Sequence, residues 1–230
     1  MEQTAAQTSV HLEASYPYQE ISDDFGSRML RFSFRDFPPY ATKIVTIKAQ
    51  LHLAEEPNKT ALNDSRPFLG PETYLESDNE EIRQLAQMLK GKNSLRTTEN
   101  IFHWVAKNVR YAGYSNKVQG ALYALRYRKG DCTECMYLFA ALCRACDIPA
   151  RGMAGYVCKE DRVLKAGDYH NWAEFYENGT WKIADPQKGV FMEHYADYIA
   201  MRIVRKAQDK SGPQFDRFRC EGEGLKVKME

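Results

Sequence analysis

Four of the six cysteines in this 230-residue chain fall within GDCTECMYLFAALCRAC, residues 130–146. They form two C-x2-C pairs with seven residues between them. Thiols so spaced can hold a tetrahedral metal, or one of them can be an activated nucleophile. The insert MYLFAAL has no Gly, Pro or Asn to turn the chain back. Its residues favour one continuous helix from about 132 to 146. At about 1.5 Å rise per residue, Cys132 and Cys146 then stand roughly 20 Å apart, whereas zinc needs every sulfur within about 2.3 Å. No metal is expected there. Cys135, Cys143 and Cys146 read as small core residues on one helix stripe with Cys132 and Phe139. Cys132 alone follows Gly130-Asp131 at the helix start, where free backbone N–H groups and the helix dipole favour negative charge. A thiol in that place is expected to have a lowered pKa and a reactive thiolate.

Such a thiol needs an imidazole, and the imidazole needs a group to orient it. In HNWAEFYENGTWKIADPQ, residues 170–187, Asn178-Gly179 separates two alternating runs. That is the signal of a two-residue β-hairpin. Glu177 then faces Thr180, and Trp172 faces Asp185. His170 shares the face of Trp172 and sits diagonal to Asp185, about 7–8 Å away at the backbone and within side-chain reach. The hairpin alone thus brings an imidazole beside a carboxylate, the orienter–base half of a catalytic triad. His11, His52, His103 and His194 have no comparable arrangement.

The elements around these residues divide the chain in two. Up to about residue 66 the pattern is strand-like. Val45, Ile47, Ala49, Leu51 and Leu53 alternate onto one face, as do Leu30, Phe32 and Phe34, with Pro38-Pro39 between the runs. Residues 55–71 are rich in turn formers and read as a linker. Beyond them, SDNEEIRQLAQMLKG and TTENIFHWVAKNVRY have apolar residues at helical spacing, KVQGALYALRYRKG holds a short helix, and strands follow at ARGMAGYVC, NWAEFYE and TWKIA. Helices followed by an antiparallel sheet define an α+β class.

Composition excludes several functions. With 32 basic and 31 acidic residues the formal net charge is +1, which gives no electrostatic case for nucleic acid or an anionic membrane. No apolar run approaches membrane-spanning length. The N-terminus has no signal-peptide core, which favours a cytoplasmic home, although a removed leader would leave the same picture.

These residues resemble the transglutaminase-like superfamily. GDCTECMYLFAALCRACDIPARGMAGYV is similar to its nucleophile helix and following strand, DYHNWAEFYENGTWKIADPQ to its His and Asp strands, and TTENIFHWVAKNVRYAG to the preceding helix of bacterial members. The resemblance spans roughly residues 73–204. It implies a papain-like α+β core with the nucleophile at a helix N-terminus packed on an antiparallel sheet. It implies Cys132 as nucleophile, His170 as general base and acid, and Asp185 as orienter. On this reading residues 1–70 form a β-rich unit and linker, 71–208 the catalytic core, and 209–230 an extension. Two departures stand out: Asp147 occupies a place where the family commonly has Gly, and Cys135 is not a usual family residue. The backbone N–H of Cys132 is the expected oxyanion donor, with Gln119 and Tyr111 as candidates for a second. Trp172, with Tyr176 and Trp181, is a candidate lining of a substrate cleft. The implied reaction is acyl transfer on a peptide or glutamine amide through a thioester, without cofactor, hydrolysis being favoured over crosslinking. The alternatives are a binding scaffold that keeps the core, and a zinc-binding module.

Overall fold

The computed structural model describes residues 4, 6–22, 28–115, 117–204, 218 and 220–229. The architecture is built round one helix, α4 (Cys132–Ala145). Asp131 caps it: its carboxylate accepts the Thr133 N–H at 2.8 Å, and Glu134 returns a bond to the Asp131 N–H at 3.1 Å. The MYLFAAL insert is helical throughout, so the two C-x2-C pairs lie at opposite ends of α4. The expected apolar stripe is wider than the sequence suggests, since every residue from Glu134 to Arg144 is buried. The cause is cover on all sides. Helices α1 (Glu80–Leu89), α2 (Ser94–Asn108) and α3 (Ala121–Tyr127) pack on one flank, and a sheet packs on the other.

α4 ends in a Schellman turn, with the Ile148 N–H on the Cys143 carbonyl and the Asp147 N–H on the Arg144 carbonyl, both at 3.0 Å. Asp147 takes the left-handed position at φ 57°, which glycine occupies without steric cost. The chain then enters the sheet. β7 (Ala150–Val157), β8 (Tyr169–Glu177), β9 (Thr180–Asp185), β10 (Val190–Phe191) and β11 (Tyr198–Val204) form five antiparallel strands in the order β10-β9-β8-β7-β11. The β8–β9 turn has positive φ at both Asn178 and Gly179, the conformation that favours Asn-Gly in tight hairpins. Its register runs from Glu177↔Thr180 to Ala173↔Ala184, as the hairpin reading predicts. Ala173, Phe175 and Ala184 face the α4 core, with the Phe139 and Phe175 rings 6.1 Å apart. Met153, Trp172, Ile183, Tyr198 and Ala200 form a second cluster.

In the first third, β1 (Gln7–Ala14) pairs with β4 (Ile47–Leu53), and β2 (Gln19–Ser22) with β3 (Arg28–Arg31). The predicted strands are shortened, since Phe32 and Phe34 lie beyond β3 and Val45 precedes β4. Leu51 and Leu53 are half-buried, while Val45, Ile47 and Ala49 are exposed. Within the predicted linker, Thr60 bonds the Gly179 carbonyl at 2.8 Å and Phe68 packs edge-on to Trp181 at 5.0 Å. Gln7, buried at the start of β1, reaches the sheet: its amide accepts the Ala200 N–H at 2.7 Å and donates to the Ala200 carbonyl at 2.8 Å. The last four residues of the predicted core, 205–208, and residues 209–217, 219 and 230 of the C-terminal extension lie outside the described residues.

Candidate active site

Cys132 is the first residue of α4 and is partly buried. The helix start docks onto β8 beside His170. The side-chain amide of Asn171 donates to the Thr133 hydroxyl at 2.9 Å, and the Asn171 backbone N–H and the Thr133 hydroxyl act to favour negative charge on the Cys132 sulfur. His170 is buried, and its Nε2 lies 2.6 Å from Asp185 Oδ2. With Nε2 committed to the carboxylate, Nδ1 is the ring atom left to exchange a proton with a thiol.

Asp185 ends β9, almost fully buried, in a shell of donors. The Tyr198 hydroxyl donates to Oδ2 at 2.9 Å, and the Lys188 N–H donates to Oδ1 at 3.2 Å. Tyr198 comes from β11, at the far edge of the sheet, and its ring packs edge-on against Trp172 at 5.0 Å. Gly155 on β7, paired with both His170 and Ala200, keeps the crossing narrow. A Cβ there would collide with the Ile199 carbonyl and lie 3.0 Å from the Trp172 ring. Tyr198 is the residue that sequence reading missed. Nothing local marks it, because its partner is 13 residues away and three strands across.

The thiol itself corrects an expectation. Burial, then the Asp131 charge, pushes Cys132 up to about 11, against the Asn171 N–H and the Thr133 hydroxyl, which favour the thiolate. Desolvation outweighs the helix start. Cys135, one turn on, is pushed up to about 12, first by burial. A thiolate at Cys132 therefore needs a cation formed in the same step, and an imidazolium on Asp185 is of that kind. All six cysteines are free, and among the described residues no group of three or more His, Cys, Asp or Glu could hold a metal ion.

The remaining sequence candidates separate. Trp172 is only 1% exposed, covered by Tyr198, and lines no open cleft. Its neighbours are covered too: Trp181 by Phe68 and the Arg151 guanidinium, and Tyr176 by bonds to Thr60 and Leu62. The aromatic face belongs to the core because residues 60–68 lie over Trp181 and Tyr176, and Tyr198 over Trp172. Gln119 is half-buried, its N–H held by Glu134 at 2.9 Å. It lines a cleft of about 240 Å³ with Gly113, Tyr114, Ser115, Tyr123 and Lys129, floored by Asp131 and Glu134. Tyr111 is 56% exposed on β5 (Arg110–Tyr111), which pairs in parallel with β6 (Lys129–Gly130), two residues before the thiol.

A partly buried thiol stands at a helix start, with a His–Asp pair on an adjoining antiparallel hairpin. That arrangement defines a class. Residues 83–186 match the family model of the transglutaminase-like superfamily. Cys132, His170 and Asp185 all fall within the matched segment. The structure is similar to that of a candidate cysteine protease from Cytophaga hutchinsonii, at 25% identity and a TM-score of 0.64, over 91% of this chain and 75% of that one. It also shares its fold with the periplasmic domain of TgpA from Pseudomonas aeruginosa, at 16% identity and a TM-score of 0.53, over 81% of this chain and 67% of that one. No curated protein matches the chain.

Proposed function

We propose that this protein is a thiol-dependent acyl-transfer enzyme acting on peptide or glutamine amides, with Cys132 as nucleophile, His170 as acid and base, and Asp185 as orienter. The observation that carries the reading is the buried 2.6 Å His170–Asp185 bond beside Asn171, whose side chain bonds Thr133 in the first turn of the Cys132 helix. The Cys132 proton passes to His170 Nδ1 as sulfur attacks the amide carbon. The tetrahedral oxyanion lies against the Cys132 backbone N–H, with Gln119 or Tyr111 as second donor. The C–N bond breaks, His170 returns the proton to the leaving nitrogen, and a thioester remains. Water, deprotonated by His170, resolves it to a carboxylic acid and restores the thiol. An amine in its place gives a crosslink. Hydrolysis is the favoured outcome, because water competes for any thioester that is not shielded from it and Cys132 is only partly buried. A candidate cysteine protease among the structural relatives supports the same ordering.

The raised Cys132 thiol favours a second reading, a binding scaffold with an idle core. One experiment separates the two. The protein is incubated with a peptide library, with and without a fluorescent primary amine, and read by mass spectrometry, while Cys132 reactivity is mapped with iodoacetamide. Cleaved backbone or a mass gain of about one dalton at glutamine is the expected result. Amine incorporation would reverse the ordering. Silence with an unreactive Cys132 would leave the scaffold.

A further inference from the structure

Between Glu99 and Asp131 the chain has six cations, Lys107, Arg110, Lys117, Arg126, Arg128 and Lys129, and no acidic residue. In a chain of net charge +1 that is a strong local asymmetry, and the segment leads directly into the nucleophile helix. Two of the cations are accounted for: Arg126 pairs with Glu81, and Arg128 stacks over Trp104 at 4.3 Å. Among the described residues, Lys107, Arg110, Lys117 and Lys129 have no ion pair. Arg110 and Lys129 are direct partners in the β5–β6 ladder. Like charges facing across a ladder destabilise it, so an anionic partner would relieve a cost the fold otherwise bears. Lys129 also lines the 240 Å³ cleft, in which the Asp131 and Glu134 carboxylates are already engaged by backbone N–H groups. Tyr111, Tyr114 and Tyr127, 56%, 70% and 62% exposed, give the same surface flat amphipathic contacts of the kind that bind peptides.

From this we infer that the β5–β6 face ahead of the nucleophile helix recognises an acidic peptide segment, with substrate carboxylates on Arg110 and Lys129. The inference rests on the acyl-transfer reading for its choice of peptide. The thiol needs an amide carbonyl to attack, which a nucleic acid backbone does not offer. The anion subsite itself stands on charge placement and is tested without turnover.

The test measures binding by fluorescence anisotropy to the full chain carrying Cys132→Ser. The probes are a labelled octapeptide of alternating glutamate and alanine, its glutamine–alanine counterpart, and a single-stranded oligonucleotide. The acidic peptide should bind about tenfold tighter than the neutral one at low salt, as two to three partly screened ion pairs would give. The preference should shrink as salt rises. Arg110→Gln with Lys129→Gln should bring the two peptides within about twofold of each other, by the same ion-pair magnitudes. Reversing both charges to glutamate should turn the preference toward a lysine–alanine octapeptide. Equal binding of the two peptides, or a preference unmoved by the double variant, would overturn the subsite. An oligonucleotide bound tighter than the acidic peptide, and released by the same variant, would overturn the choice of partner. If the preference holds while parental Cys132 is inert to iodoacetamide, the acyl-transfer reading falls and the subsite remains.

Discussion

At the scale of single residues the site turns on how a thiol that its surroundings hold near 11 is made to react. If His170 supplies the compensating charge, removing it leaves Cys132 to titrate alone. In His170→Ala the alkylation rate should climb toward pH 11, with a thiolate fraction at pH 7 of roughly 10⁻⁴. The parent should alkylate at neutral pH at least a hundredfold faster. Identical pH–rate curves for the two would mean His170 does not serve Cys132. Tyr198 is argued to act through Asp185. Tyr198→Phe should slow neutral-pH alkylation about tenfold and cost about 1–2 kcal/mol of stability, the usual toll for one lost bond to a buried charged group. Once Asp185→Asn is present, the Tyr198 change should slow alkylation no further. Additive losses in that cycle would make Tyr198 a packing residue only. The sequence makes the place of Cys132 at a helix start and of His170 beside Asp185 legible, because helix start and hairpin register are local facts. It leaves Tyr198 hidden, since no local rule says which edge-strand hydroxyl will cross to a carboxylate. It misplaces Trp172, since an alternating aromatic looks alike whether solvent or Tyr198 lies above it.

At the scale of elements, α4 and the β8–β9 hairpin read most clearly, because MYLFAAL has no turn former and Asn178-Gly179 fixes a register. The exposure of β4 is less legible. Its alternation promises a buried face, yet two-stranded pairing with β1 covers only Leu51 and Leu53. Asp147 offers a direct test of the α4 terminus. It is exposed and held at φ 57°, a region that penalises a Cβ. Asp147→Gly should stabilise the protein by about 0.5–1 kcal/mol, seen as a rise of about 1–4 °C in the thermal midpoint. A lower midpoint would show that the aspartate carboxylate, and not the backbone, governs that turn.

Over the whole molecule, the β-rich first third is joined to the sheet by few but specific ties, and the buried Gln7 amide is the deepest of them. Composition gave no hint of it, because a glutamine near a terminus is ordinarily a solvated residue. Gln7→Ala should cost about 1–3 kcal/mol, by orphaning the Ala200 N–H and carbonyl together. A midpoint unchanged in thermal unfolding would count against the tie. The same amide has a further consequence. β11 is the outer strand of the sheet, and an uncovered outer strand is a template on which another chain can add. With one donor and one acceptor, Gln7 occupies the place where an incoming strand would begin to pair, and so acts as a plug against self-association. Light scattering from concentrated Gln7→Ala protein should therefore report a larger mean mass than the parent at the same concentration.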